Sequence, residues 1–170
     1  MFRDYIRLMV FAVGLLAGVQ LPAFVDQYAK RVDAHYLEAK GNFAGFQDTA
    51  DRHFNGDVDA MIQHHRQSGD VVFQEDADSI EKIWQRLQLL AAEQLAMQKP
   101  FPLRAFHALF AANDELMAET RINYSYVVPL NQDAVIAGVS IGLLAALVIE
   151  LLIMALARLF RGSPQPVRRY

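Results

Sequence analysis

Cysteine is absent from the 170 residues. Its absence excludes disulfide frameworks, thiolate zinc sites, thiolate-held iron–sulfur clusters and a cysteine nucleophile. An excess of positive charge is missing too. Sixteen Lys and Arg stand against nineteen Asp and Glu, a net charge of −3, so there is no basic signature for nucleic acid. Six Pro and nine Gly are too few for a collagen-like or low-complexity chain. The sequence contains no G-x-S-x-G, no P-loop, no G-x-G-x-x-G and no H-E-x-x-H. Hydrolase, nucleotide and dinucleotide readings therefore have no support. Scattered Ser and Asp make no triad. The expectation is a non-enzymatic protein with no catalytic residue, no cofactor and no metal.

What the chain does have is apolar sequence. Apolar residues make up 54% of it and charged residues 21%, with a mean hydropathy of +0.13. Soluble domains average roughly 45–50% and about 25%. The excess is concentrated in two runs. Leu8 to Val25 is 18 residues without a charge; Ala134 to Ala157 is 24 residues with one, Glu150. A bilayer core of about 30 Å needs roughly 20 helical residues. Both runs read as transmembrane helices, the first near the lower length limit and interrupted by Gln20 and Pro22. A cleavable leader cut near Ala23 is the rival for the first run, but Leu21 is a poor residue three positions before such a cut.

Charge is partitioned around these runs. Residues 1–25 are net +1, residues 26–133 net −7 and residues 134–170 net +3. Orientation follows Lys and Arg near the membrane ends. Arg158, Arg161, Arg168 and Arg169 follow the second run, whereas only Arg121 lies within the twenty residues before it. Both termini are therefore expected in the cytoplasm and residues 26–133 outside it, in the periplasm of a Gram-negative cell. The expected division is 1–25 as the first span with its short start, 26–133 as the extracytoplasmic domain, 134–160 as the second span and 161–170 as a basic tail on the inner lipid surface.

The middle segment reads as helical. Val25, Tyr28, Val32, Tyr36, Ala39, Phe43, Phe46, Ala50 and Phe54 recur at steps of three and four, a helix stripe continuous with the first run. Asn55-Gly56 marks a break, and a short helix over Asp57 to Gln67 ends at Ser68-Gly69-Asp70. A second long helix is expected from Asp76 to Gln98, with acids in its first turns and an apolar face of Ile80, Ile83, Trp84, Leu87, Leu90, Leu95 and Met97. Lys99-Pro100-Phe101-Pro102 stops it. A third helix is expected from Pro102 to about Glu119, its apolar face carrying Leu103, Phe106, Leu109, Phe110, Leu116 and Met117; each such face must pack on another helix or on a partner. Tyr124 to Leu130 is expected to be extended, with Asn131 or Asp133 capping the second span. The fold class is thus all-α: two membrane helices flanking a helical bundle or a long helical hairpin.

The sharpest local pattern lies in the second run. Gly138, Gly142, Ala146 and Glu150 are four apart, one ridge of small residues ending in an acid. Gly14 and Gly18 offer the same spacing in the first run. Small residues admit another helix closely. The ridges either pack the two helices of this chain together or serve another subunit, a membrane-protein partner or a second copy. Glu150 lies about 10 Å inside the inner boundary at 1.5 Å per residue. A carboxylate there needs a partner, a proton or a polar cavity. It is read as an interaction residue, against a proton site, snorkelling, or a pair with Arg7. The five histidines, His35, His53, His64, His65 and His107, read as surface residues.

The stretch Gln20-Leu21-Pro22-Ala23-Phe24-Val25-Asp26-Gln27-Tyr28-Ala29-Lys30-Arg31-Val32, followed by a helical middle and Tyr126-Val127-Val128-Pro129-Leu130, resembles a proteobacterial family of inner-membrane proteins catalogued as a domain of unknown function. The resemblance covers nearly the whole chain. It implies a two-span envelope protein and transfers no catalytic residues. Chemoreceptor-type sensors and polysaccharide chain-length regulators share the topology alone. The functional expectation is an accessory, scaffold or assembly subunit that binds other envelope membrane proteins. The alternative is a ligand- or ion-sensing module signalling through a partner; an enzyme or transporter component using Glu150 as a proton site comes third.

Overall fold

The computed structural model describes residues 2–126 and 132–160. Among them are six helices: α1 (Phe2–His53), α2 (Val58–Arg66), α3 (Val71–Met97), α4 (Phe101–Phe110), α5 (Asp114–Ile122) and α6 (Gln132–Phe160). Two units separate by their internal packing. Met1–Phe24 with Ser125–Tyr170 forms one, and Val25–Tyr124 forms the other. The expected tail 161–170, the segment Val127–Leu130 and the cap Asn131 lie outside the described residues.

The first unit holds the two apolar helices. α1 carries the first run at its start and keeps Pro22 inside the helix. Both α1 and α6 are long and apolar enough to cross a membrane. Only 6% of the apolar window of α6 is buried, and 28% of that of α1. Core helices of soluble proteins are mostly buried, whereas these turn leucine, valine and isoleucine outward.

The second unit is built on the rest of α1. Val25, Tyr28, Val32, Ala39, Phe43 and Ala50 are buried along the expected stripe. Phe43 and Ala50 enter a core with Val58, Met61 and Ile62 of α2 and Ala77 and Ile80 of α3, backed by Phe46, Phe54, Ile83, Trp84 and Leu87. Phe43 stacks on Trp84 with ring centroids 4.9 Å apart. α1 stops where Asn55 and Gly56 both adopt positive φ, 53° and 82°. The Ala50 carbonyl there accepts from the N–H groups of both Phe54 and Gly56. Asp57 then caps α2 by accepting from the Ala60 N–H at 2.9 Å.

Several expectations are corrected. The second long helix starts at Val71, five residues before Asp76, because the Asp70 carboxylate caps it by accepting from the Val72 N–H at 2.9 Å. Its first turn contains no acid, and Leu95 on the expected apolar face is exposed. The third helix is two helices. Asn113 accepts from the Leu116 N–H and restarts the chain as α5. The apolar face expected there divides: Leu103, Phe106, Leu109 and Phe110 of α4 are exposed, while Ala105 and Ala108 are buried. Leu116 and Met117 of α5 are buried.

Candidate functional site

In the first unit, α1 and α6 meet at their small residues. Gly14, Gly18, Gly138 and Gly142 are all buried. A Cβ on Gly14 would lie 3.0 Å from the Gly142 Cα; one on Gly18 would lie 2.7 Å from the Gly138 Cα and 2.8 Å from the Ala137 carbonyl oxygen. Gly138 faces Val19 and Leu15, and Gly142 lies under the Phe11 ring. Four residues forward on α1 match four residues backward on α6, so the two helices run antiparallel. Backbone lies against backbone at Gly18, which no Cβ allows. Ala146, next on the ridge, is half-buried.

The same register leads to the acid. An Arg7 Nη donates to a Glu150 carboxylate oxygen at 2.6 Å. The Glu150 side chain is 18% exposed and that of Arg7 47%. The residues singled out in the two runs therefore come together within one chain: the glycines as a seam, with Glu150 and Arg7 toward its end.

The second unit carries polar networks that local sequence patterns did not reveal. Tyr28 is fully buried. Its hydroxyl donates to a Glu93 carboxylate oxygen at 2.8 Å and accepts from the Asn113 N–H at 3.0 Å. His107 Nε2 lies 2.9 Å from the same Glu93 oxygen. Burial, reinforced by the Glu93 carboxylate, pushes the Tyr28 phenol far above its ordinary pKa. A second network joins α1, α3 and α5. Glu119 accepts from Arg31 at 2.8 Å and lies 3.0 Å from His35 Nε2; Arg86 grips Glu115 with two hydrogen bonds. Arg31 first, then His35, holds the Glu119 carboxyl below its usual value. Arg86 does the same to Glu115.

These contacts revise the reading of the histidines. His35 and His107 are partly buried and lie within hydrogen-bond distance of Glu119 and Glu93, and His65 Nδ1 lies 3.0 Å from the Met61 carbonyl. His53 and His64 are exposed. Among the described residues, no three His, Cys, Asp or Glu side chains come together in a way that could hold a metal ion.

A groove of about 370 Å³ opens between α1 and α3, walled by Tyr36, Phe43, Ala44, Trp84, Leu87 and Ala91. Lys40, Gln47, Asp48 and Gln88 supply its polar lining. The Trp84 Nε1–H is buried and has no hydrogen-bond partner among the described residues. Such a donor is costly to leave unpaired.

The arrangement among the described residues is one of packing and charge pairing. Its contents are a helix seam, structural ion pairs and an apolar groove. No curated protein and no solved structure matches the chain. A family model does match, over residues 2–162, and by it the chain belongs to the family described as Protein of unknown function (DUF2937).

Proposed function

We propose that this chain is a two-span protein of the bacterial inner membrane that works by binding other envelope membrane proteins, as an accessory or assembly subunit without catalytic activity. The observation that carries the reading is the outward-facing surface of α6, whose apolar window is 6% buried. Water would leave that surface unsatisfied, whereas lipid and neighbouring membrane helices cover it. The excess of arginine after α6 orients both ends toward the cytoplasm and residues 26–133 toward the periplasm.

Within this reading the glycine seam is the internal glue of the two spans. Close packing of small residues replaces the hydrophobic drive that lipid does not provide. The Arg7–Glu150 pair answers the cost of a carboxylate inside the boundary, which supports a structural role for Glu150 over proton transfer. With the seam occupied, partner recognition passes to the helical body, where the α1/α3 groove offers an apolar concavity.

Purification in mild detergent at native expression tests this. The chain should bring a membrane protein in fixed stoichiometry, and Gln88→Arg at the groove wall should weaken that association several-fold. A chain that runs alone would contradict the reading. The apolar walls of the groove favour one alternative, a sensor that takes a small apolar molecule there. A ligand-dependent rise in Tm that disappears in Gln88→Arg would favour it.

A further inference from the structure

α4 is built inside out for a helix in water. Its inward side is alanine: Ala105 and Ala108 are buried. Leu103, Phe106 and Phe110, at steps of three and four, point outward beside Leu109. Phe106 is 63% exposed and Phe110 74%, with their rings 5.0 Å apart. A helix that settles on its own domain through methyl groups, and shows its largest apolar side chains, has a second surface to cover.

Two further observations identify that surface. The first is charge. Between Glu93 and Asp114 the chain carries Lys99, Arg104 and His107 and no acid, inside a stretch, 26–133, that is net −7. Lys99 is exposed and Arg104 half-buried, and neither makes an ion pair among the described residues; the Arg104 guanidinium lies 5.6 Å from the Phe101 ring centroid. The second is position within the Val25–Tyr124 unit. His107 of α4 and Tyr28 of α1 share one Glu93 oxygen, and the N–H of Asn113, three residues beyond α4, reaches the Tyr28 hydroxyl. Tyr28 is only three residues past Val25, where the first apolar run ends, about 4.5 Å along the helix. α4 is therefore fastened to α1 at the level where that run gives way to polar sequence.

We infer that α4 is an interfacial anchor. It lies against an anionic lipid surface, with Phe106 and Phe110 in the headgroup–acyl boundary and Lys99 on the lipid phosphates. Short amphipathic helices with aromatic and basic residues bind membranes in this manner, through buried apolar area and attraction to anionic headgroups. The inference rests on the reading of α1 as a span and adds a third membrane contact, one that fixes the helical body on the bilayer.

The absence of cysteine makes the test direct. Full-length single-cysteine variants Phe106→Cys and Phe110→Cys are spin-labelled in vesicles of phosphatidylethanolamine with phosphatidylglycerol. Collisions with oxygen and with a water-soluble nickel chelate are then compared. Val13→Cys reports the span and Gln63→Cys reports water. Labels at 106 and 110 should collide with the nickel chelate several-fold less than the label at 63 while remaining open to oxygen. That protection should weaken without phosphatidylglycerol and in Lys99→Glu. Nickel access equal to that at position 63 would overturn the anchor. Exclusion of both reagents, the sign of a protein cover, would overturn it as well. Equal protection with and without phosphatidylglycerol would overturn the assignment to an anionic surface. A lipid reading at Val13 with water readings at 106 and 110 defeats this inference alone; a water reading at Val13 defeats the two-span proposal as well.

Discussion

Tyr28 ties three helices and the start of a fourth to one hydroxyl. Its O–H lies between Glu93 of α3 and the N–H of Asn113, the residue that caps α5, while His107 of α4 reaches the same carboxylate. Tyr28→Phe removes the hydroxyl and strands a partly buried N–H, which costs about 1–3 kcal/mol. Chemical unfolding of the purified chain should register that loss. The sign with pH follows from burial. A phenol whose pKa is raised on folding is held protonated, so its contribution is complete below the ordinary phenol value of about 10 and declines above it. The wild type should therefore lose stability as pH rises beyond that value, and Tyr28→Phe should show a flatter alkaline limb. Glu119 behaves in the opposite sense. Arg31 and His35 hold its carboxyl low, so its contribution is present at neutral pH and lost as pH falls through the depressed value. Glu119→Gln should flatten the acid limb of the same unfolding profile. Neither residue was visible as a partner in the sequence. Tyr28 and Glu93 are 65 positions apart, and Tyr28 and Asn113 are 85 apart. No local period encodes such pairs.

Among the elements, α1 permits a matched comparison between glycines. Gly41 and Gly45 are helical, and an added Cβ at either would meet nothing within 4 Å. Gly41→Ala or Gly45→Ala should raise stability by up to about 1 kcal/mol through helix propensity alone. Gly18→Ala gains the same propensity but drives a Cβ into the Gly138 Cα and the Ala137 carbonyl. Both obstacles are backbone, so no rotamer change relieves them. We expect a net loss of about 1–3 kcal/mol, read as a lower Tm in detergent. Periodicity made the stripe of α1 legible, and turn chemistry marked Asn55-Gly56. Caps moved the other boundaries. Asp70 starts α3 through two β-branched valines of low helix propensity, and Asn113 divides what reads as one helix into α4 and α5. The outward turn of the α4 face was not legible for a different reason. Spacing shows that Leu103, Phe106 and Phe110 share a side, but only the placement of Ala105 and Ala108 against the domain decides that this side faces out.

At the scale of the whole molecule, the two apolar runs and the acidic middle were legible because length, hydropathy and charge are read from sequence directly; the structure turns the runs into two helices long and apolar enough to cross a membrane. The glycine ridges were legible as ridges; their choice of each other over another subunit depends on the register of two distant segments. In the proposed function, the first part of α1 and all of α6 cross a membrane and hold Val25–Tyr124 on its outer side. A cysteine-free chain allows that claim to be read with a membrane-impermeant maleimide on two single-cysteine variants in living cells. Leu37→Cys, at an exposed site on α1, should be labelled in intact cells, and Ser163→Cys only after permeabilisation. Labelling in the reverse order, or recovery of the full-length chain in the soluble fraction without detergent, would contradict it.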